Sequence, residues 1–144
     1  MRGAPGAVPS RAPRWGVPIQ AQAMVEFALA ISVFLLLIVG TFDLARAYVA
    51  YTVVSNAARE AARYGAAHVG EANWQAAAQQ AGLNLAVGID PAALQLDQPS
   101  TRQIDQLTYI NVAGSYRFQS LTPMVGALLG NPFIIRVDTS VLAG

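Results

Sequence analysis

The sequence predicts an α+β protein. A long N-terminal transmembrane helix continues as an amphipathic spine, and a small antiparallel sheet with a second short helix packs against the spine. Three observations predict this. The stretch from Gln22 to Ala66 contains no proline and only two glycines, Gly40 and Gly65, and passes from an apolar run into an alanine-rich amphipathic stretch. Two later segments alternate apolar and polar residues, the period of half-buried strands. The chain is 54% hydrophobic and only 12% charged, and a deficit against the roughly 25% charged residues of globular proteins points to membrane contact.

These observations divide the 144 residues into three parts. Residues 1–21 hold four of the eight prolines, three arginines (Arg2, Arg11, Arg14) and no acid. They cannot bury a core and read as a disordered, basic, cytoplasmic leader. Residues 22–66 are the long helix, with the membrane span at about 23–42 and the outer amphipathic half at 43–66. Residues 67–144 form an extracytoplasmic α+β domain. The arginines before the apolar run hold the N-terminus in the cytoplasm by the positive-inside bias, so the later residues are exported.

Composition excludes several classes. All nine basic residues are Arg, the net charge is +1, and no basic patch interleaves with aromatics, so nucleic acid is not an expected partner. The absence of cysteine removes disulfides, thiol catalysis and Cys-based metal sites.

From Phe27 to Phe42 there are sixteen residues without a charge. At 1.5 Å per residue this is roughly 24 Å, short of the roughly 30 Å hydrocarbon core. Extension back to Ala23 gives a full span and places Glu26 in its first turn. An ionised acid at a helix centre costs roughly 2.5–3.5 kcal/mol on the insertion scale, and less near the interface. Glu26 therefore either sits at headgroup level and ends the span, or meets a cationic partner in the membrane plane. A free α-amino group on a neighbouring subunit would be such a partner.

The blocks Gln22-Ala23-Met24-Val25-Glu26-Phe27, then Phe42-Asp43-Leu44-Ala45-Arg46-Ala47-Tyr48, then Asn56 to Ala66 (NAAREAARYGA), in that order and around an apolar run, resemble the TadE-like family. These are minor pilins, or pseudopilins, of the tight-adherence (Flp-type) pilus apparatus. The resemblance covers about 45 residues. It implies a subunit that helps assemble an adhesive type IV-like pilus, with membrane lipid, other pilin-like subunits and an assembly platform as partners. It also implies a prepilin peptidase that cuts before a residue lying four positions ahead of a glutamate. Here that cut falls between Ala21 and Gln22, ahead of Glu26 and Phe27, with Ala21 where the family usually has Gly. A rival reading takes Ala45-Arg46-Ala47 as a secretory cleavage site, but the apolar core is longer than a signal core and no helix breaker precedes the site.

Beyond the span, Leu44, Tyr48, Tyr51, Val54, Ala58, Ala61 and Gly65 recur at three- and four-residue steps and predict one apolar stripe. Ala57, Ala61 and Gly65, beside Ala58, Ala62 and Ala66, form two small-residue rows that allow close approach. They serve either this protein's own sheet or a seam between subunits. Tyr48, Tyr51, Ala58, Ala61 and Gly65 are thus the candidate packing residues. Asp43 with Arg46, and Glu60 with Arg63, read as exposed surface pairs.

His68, the only histidine, falls on the turn that ends the long helix. A second helix is expected over Glu71 to about Ala81, anchored by Trp74, with Gly82 ending or weakening it and Gly88 a firm stop. Leu94 to Asp97 reads as a short strand. Leu107 to Phe118 is the clearest strand, with Gly114 marking a bulge or a close backbone approach. Thr122 caps a short helix with Pro123 at its first position, closing near Gly130. Phe133 to about Leu142 is the last strand. The sequence holds no nucleophile elbow, phosphate loop, dinucleotide fingerprint or metal-ligand cluster. The expectation is a structural protein, not an enzyme, without catalytic residues, cofactor or metal. The alternative is an anchored extracytoplasmic domain that binds a ligand or envelope component and joins no filament.

Overall fold

The structure is a computed structural model that describes residues 19–143. The disorder and orientation expected of residues 1–18, with Arg2, Arg11 and Arg14, lie outside the described residues. The element order is α1 (Ile19–His68), α2 (Trp74–Asn84), a 3-10 turn (Pro91–Ala93), β1 (Leu94–Leu96), β2 (Ser100–Ile104), β3 (Leu107–Phe118), α3 (Pro123–Leu129) and β4 (Phe133–Leu142). The fold is α+β, as expected: one long apolar N-terminal helix, a small antiparallel sheet and short helices.

The 50-residue α1 begins three residues before Gln22 and runs unbroken through Ala45-Arg46-Ala47. Inside it, the hydroxyls of Ser32, Thr41 and Thr52 donate to the carbonyls of Ala28, Leu37 and Tyr48, four residues back, at 2.7, 2.8 and 2.9 Å. Such back-bonding lets a helix carry hydroxyls into apolar surroundings. The chain forms two compact units, the first ending at Leu35 and the second running from Leu36 to the C-terminus.

Its sheet is built around β3. β4 pairs along one edge of β3, from Phe118↔Phe133 to Tyr109↔Leu142. β1 (Leu96↔Gly114) and β2 (Ser100↔Asn111) share the other edge, one after the other. The sequence reading missed β2. Its residues are all exposed, so no alternation marks them. Its hairpin to β3 turns through Asp105 and Gln106, both at positive φ (50° and 70°). That is a two-residue primed turn made without its usual Asn-Gly or Asp-Gly signal.

One face of the sheet carries Leu94, Leu96, Ile110, Val112 and Phe118 onto the outer half of α1. β3 runs back along α1. Gly114 faces Val54 and Ile110 faces Gly65, while the Phe118 ring lies 5.2 Å from the Arg46 guanidinium. The register with β4 is unbroken, so Gly114 makes no bulge. A Cβ there would stand 2.9 Å from Val54 Cγ1, so the glycine permits close approach of helix and strand. α2 runs from Trp74, against Gly65, to Gly82, against Ala57 and Ala61. Gly82 thus lies inside α2 rather than ending it, and the chain turns at Gly88 with φ +86°. Thr122 occupies the N-cap of α3 but its side chain makes no capping bond.

Candidate functional site

α1 carries the residues that the sequence singled out, in three groups. The first is the apolar run. Met24, Val25, Phe27, Leu29, Val33, Phe34 and Leu37 are all exposed. The helix is long and apolar enough to cross a membrane, and its most apolar window buries nothing within the protein. A water-soluble domain does not leave such a surface uncovered. Ala21, Gln22, Glu26 and Phe27 sit on the helix at the start of this run, and Gln22, Glu26 and Phe27 are exposed. Among the described residues the ion pairs are Arg46–Asp43 and Arg63–Glu60, so Glu26 joins none.

The second group is the packing surface. Ala58, Ala61 and Gly65 are buried, and so are Ala50, Val54, Ala57 and Ala62. They touch this protein's own strands and α2, which is the intramolecular use of the small-residue rows. Leu44, Tyr48 and Tyr51 do not continue that line. Tyr48 is 71% exposed and Tyr51 49%. The buried line runs instead through Asp43, Ala50 and Val54, with Ala47 half-buried on it. The correction has a steric cause. The strand backbone at Gly114 comes too close for large rings, so the small residues face the sheet and the tyrosines face out. The outer half of α1 therefore presents exposed Leu44, Tyr48, Val49 and Tyr51.

The third group is Asp43, whose expected pair with Arg46 forms but whose expected exposure is overturned. Asp43 is not an exposed pair residue but 1% exposed. Its carboxylate accepts from the N–H of Leu121 (3.1 Å) and the N–H of Thr122 (2.7 Å), and from Arg46 Nη1 at 3.0 Å. Burial pushes this carboxyl up. The hydrogen bonds from the Leu121 and Thr122 N–H groups and from Arg46 outweigh that and hold it at about 2, against an ordinary value of 3.8. An acid so held is a charged clasp between the helix and the β3–α3 loop. Its two backbone partners lie 78 and 79 residues away, and no local spacing announces them. The second pair does stay at the surface. Arg63 donates to both Glu60 oxygens at 2.9 and 2.7 Å and holds the Glu60 carboxyl below its usual range. His68, the last residue of α1, stacks on Tyr64 with centroids 4.1 Å apart. Its Nδ1 lies 2.9 Å from the Tyr64 carbonyl, which can only accept, so Nδ1 carries the proton.

This arrangement defines a class: an α+β protein on a helical spine with, among the described residues, one membrane-competent segment. Residues 21–63 match the family model described as TadE-like protein. The match agrees with the resemblance carried by the Glu26, Asp43 and Arg59–Arg63 blocks, and it spans Glu26, the apolar run and most of the spine. Comparison with curated proteins and with solved structures gives no match.

Proposed function

We propose that this protein is a membrane-anchored minor pilin or pseudopilin that contributes to assembly of a tight-adherence (Flp-type) pilus. The observation that carries the reading is the TadE-like match over residues 21–63. The exposed apolar run and the uncovered Tyr48–Tyr51 face support it. In this reading the N-terminus stays in the cytoplasm, α1 crosses the membrane once, and the domain lies outside. The partners are lipid, other pilin-like subunits and the assembly platform. The protein performs no catalysis and holds no cofactor. A prepilin peptidase cuts between Ala21 and Gln22, and the new α-amino group of one subunit neutralises Glu26 of the next. The cut lies within α1, so cleavage requires the helix start to open or to form afterwards. The second reading, an anchored envelope-binding domain outside any filament, draws on the polar outer face of the sheet, with Asp97, Arg102 and Asp138 beside an open cleft.

Crosslinking separates the two. With Tyr51→Cys in native membranes, a thiol crosslinker is expected to give adducts with pilin-sized partners, because Tyr51 points away from its own domain. Only uncrosslinked chain would return the second reading. Processing is read separately. The intact mass of assembled protein is expected to begin at Gln22, and a Met1 terminus there would remove the proposed partner of Glu26.

A further inference from the structure

The two ends of the domain differ in chemistry. β3 runs from Gly65 of α1 back to Arg46, so the β2–β3 hairpin lies at the end remote from Phe42. The α2–β1 loop and the β3–α3–β4 connection lie at the end near it. The remote end carries Glu71, Arg102 and Asp105. Toward the near end no charge occurs from Leu83 to Ile89 or from Phe118 to Ile135. Its large apolar side chains are exposed: Leu121 at 73%, Leu128 at 83%, and also Val87, Met124 and Leu129.

The Asp43 clasp fixes where this end sits. Phe42 is the last residue of the uncharged run, so the bilayer surface falls at about Asp43. The stretch from Leu36 to Phe42 belongs to the same compact unit as the domain. The carboxylate of Asp43 itself holds the N–H groups of Leu121 and Thr122, directly before α3. α3 has seven residues, roughly 10 Å. Its side chains therefore stay close to the Asp43 level, and interfacial helices bury their apolar face over a comparable distance, roughly 5–10 Å. The nearest charges, Arg46, Asp90 and Arg117, line an open groove beside this end, at the headgroup level where charged and aromatic side chains are favoured. The remote hairpin stands about one outer helix away; Asp43 to Gly65 alone is roughly 33 Å.

We infer that α3 and its flanks are a second membrane contact: Leu121, Met124, Leu128 and Leu129 enter the outer headgroup–acyl boundary, and Asp43 locks them at that depth. The domain is thus seated on the bilayer rather than held clear of it. The inference rests on the reading of α1 as a membrane span, and its test separates the two.

The chain has no cysteine, so single nitroxide labels are unambiguous. The full chain is reconstituted at one copy per nanodisc, with a label at Leu36→Cys, Leu128→Cys or Asp105→Cys. Accessibility to oxygen, which concentrates in lipid, is compared with that to a water-soluble nickel chelate. Leu128 is so exposed that a label there leaves packing untouched. The expected result is lipid-like accessibility at 36 and 128 and water-like accessibility at 105, with the oxygen-to-nickel ratio at 128 severalfold above that at 105. A lipid-like label at 36 with a water-like label at 128 overturns this inference alone and leaves the α3 surface to a protein partner. A water-like label at 36 overturns the anchor and the inference together.

Discussion

Asp43→Ala is expected to release the membrane-proximal loop from the spine. The substitution leaves the N–H groups of Leu121 and Thr122 without an acceptor in a site where Asp43 is 1% exposed. Orphaned buried donors are among the costlier defects of a small domain. Hydrogen exchange of the Leu121 and Thr122 amides should lose its protection, and the thermal midpoint of the domain should fall by roughly 5–10 °C. Asp43→Asn should fall between wild type and Ala. Its one oxygen accepts from one N–H, while its amide group opposes the other. The acid response follows from the carboxyl being held low. A depressed acid stabilises the fold above its unfolded value and loses that contribution as pH drops through its folded value. The clasp therefore contributes fully above about pH 4 and is lost toward about pH 2. Asp43→Ala should lack that part of the acid sensitivity. An unchanged amide exchange pattern would show that the loop is held by something else.

The second large effect is expected at Gly82→Ala. Alanine in place of an exposed helical glycine gains roughly 0.8–1.0 kcal/mol in propensity. Here the added Cβ would lie 2.5 Å from the Ala57 carbonyl oxygen, 2.7 Å from Leu96 Cδ2 and 3.0 Å from Ala61 Cβ. One of these atoms is backbone of α1, which cannot yield like a side-chain tip. Overpacking of this kind costs roughly 1–3 kcal/mol, and the contact is tight enough to put the net effect on the destabilising side. Gly40→Ala is the internal control, because nothing lies within 4 Å of its Cβ position. Chemical denaturation of the domain should show a lower midpoint for the first variant and none for the second. A midpoint raised by Gly82→Ala would mean that α2 does not pack on α1 this closely.

Much of this architecture is legible in the sequence, and the exceptions share a cause. The long helix, the strands from Leu107 and Phe133 and the helix near Trp74 are written in periodicity and in the placement of Gly and Pro. Gly114 was readable as either a bulge or a close approach, and the unbroken β4 register with Val54 facing the glycine decides for the close approach. What escaped was set by contacts remote in sequence. Asp43 reads as a surface residue until Leu121 and Thr122 come to it. β2 has no inward face to alternate, so it exists only as a partner of β3. The face that α1 turns to the sheet was misjudged at Leu44, Tyr48 and Tyr51. Hydrophobicity alone favours the tyrosines, but the approach of the sheet favours Ala47 and Ala50. That error exposed a surface, and the uncovered tyrosine face is where the proposed function looks for neighbouring subunits.

The proposed contact between subunits turns on Glu26, the one charge within the apolar segment. Its most direct test is Glu26→Gln in cells that carry the pilus apparatus, read by membrane fractionation and by recovery of partner pilins with the protein. The variant has no described contact to lose and should insert and fold as the wild type does. Co-recovery of partners should drop at least as far as expected for an ion pair lost from a desolvated site, roughly tenfold or more. Normal insertion with that loss is the predicted result. Co-recovery at the wild-type level would contradict the account and leave Glu26 as the residue that merely ends the span.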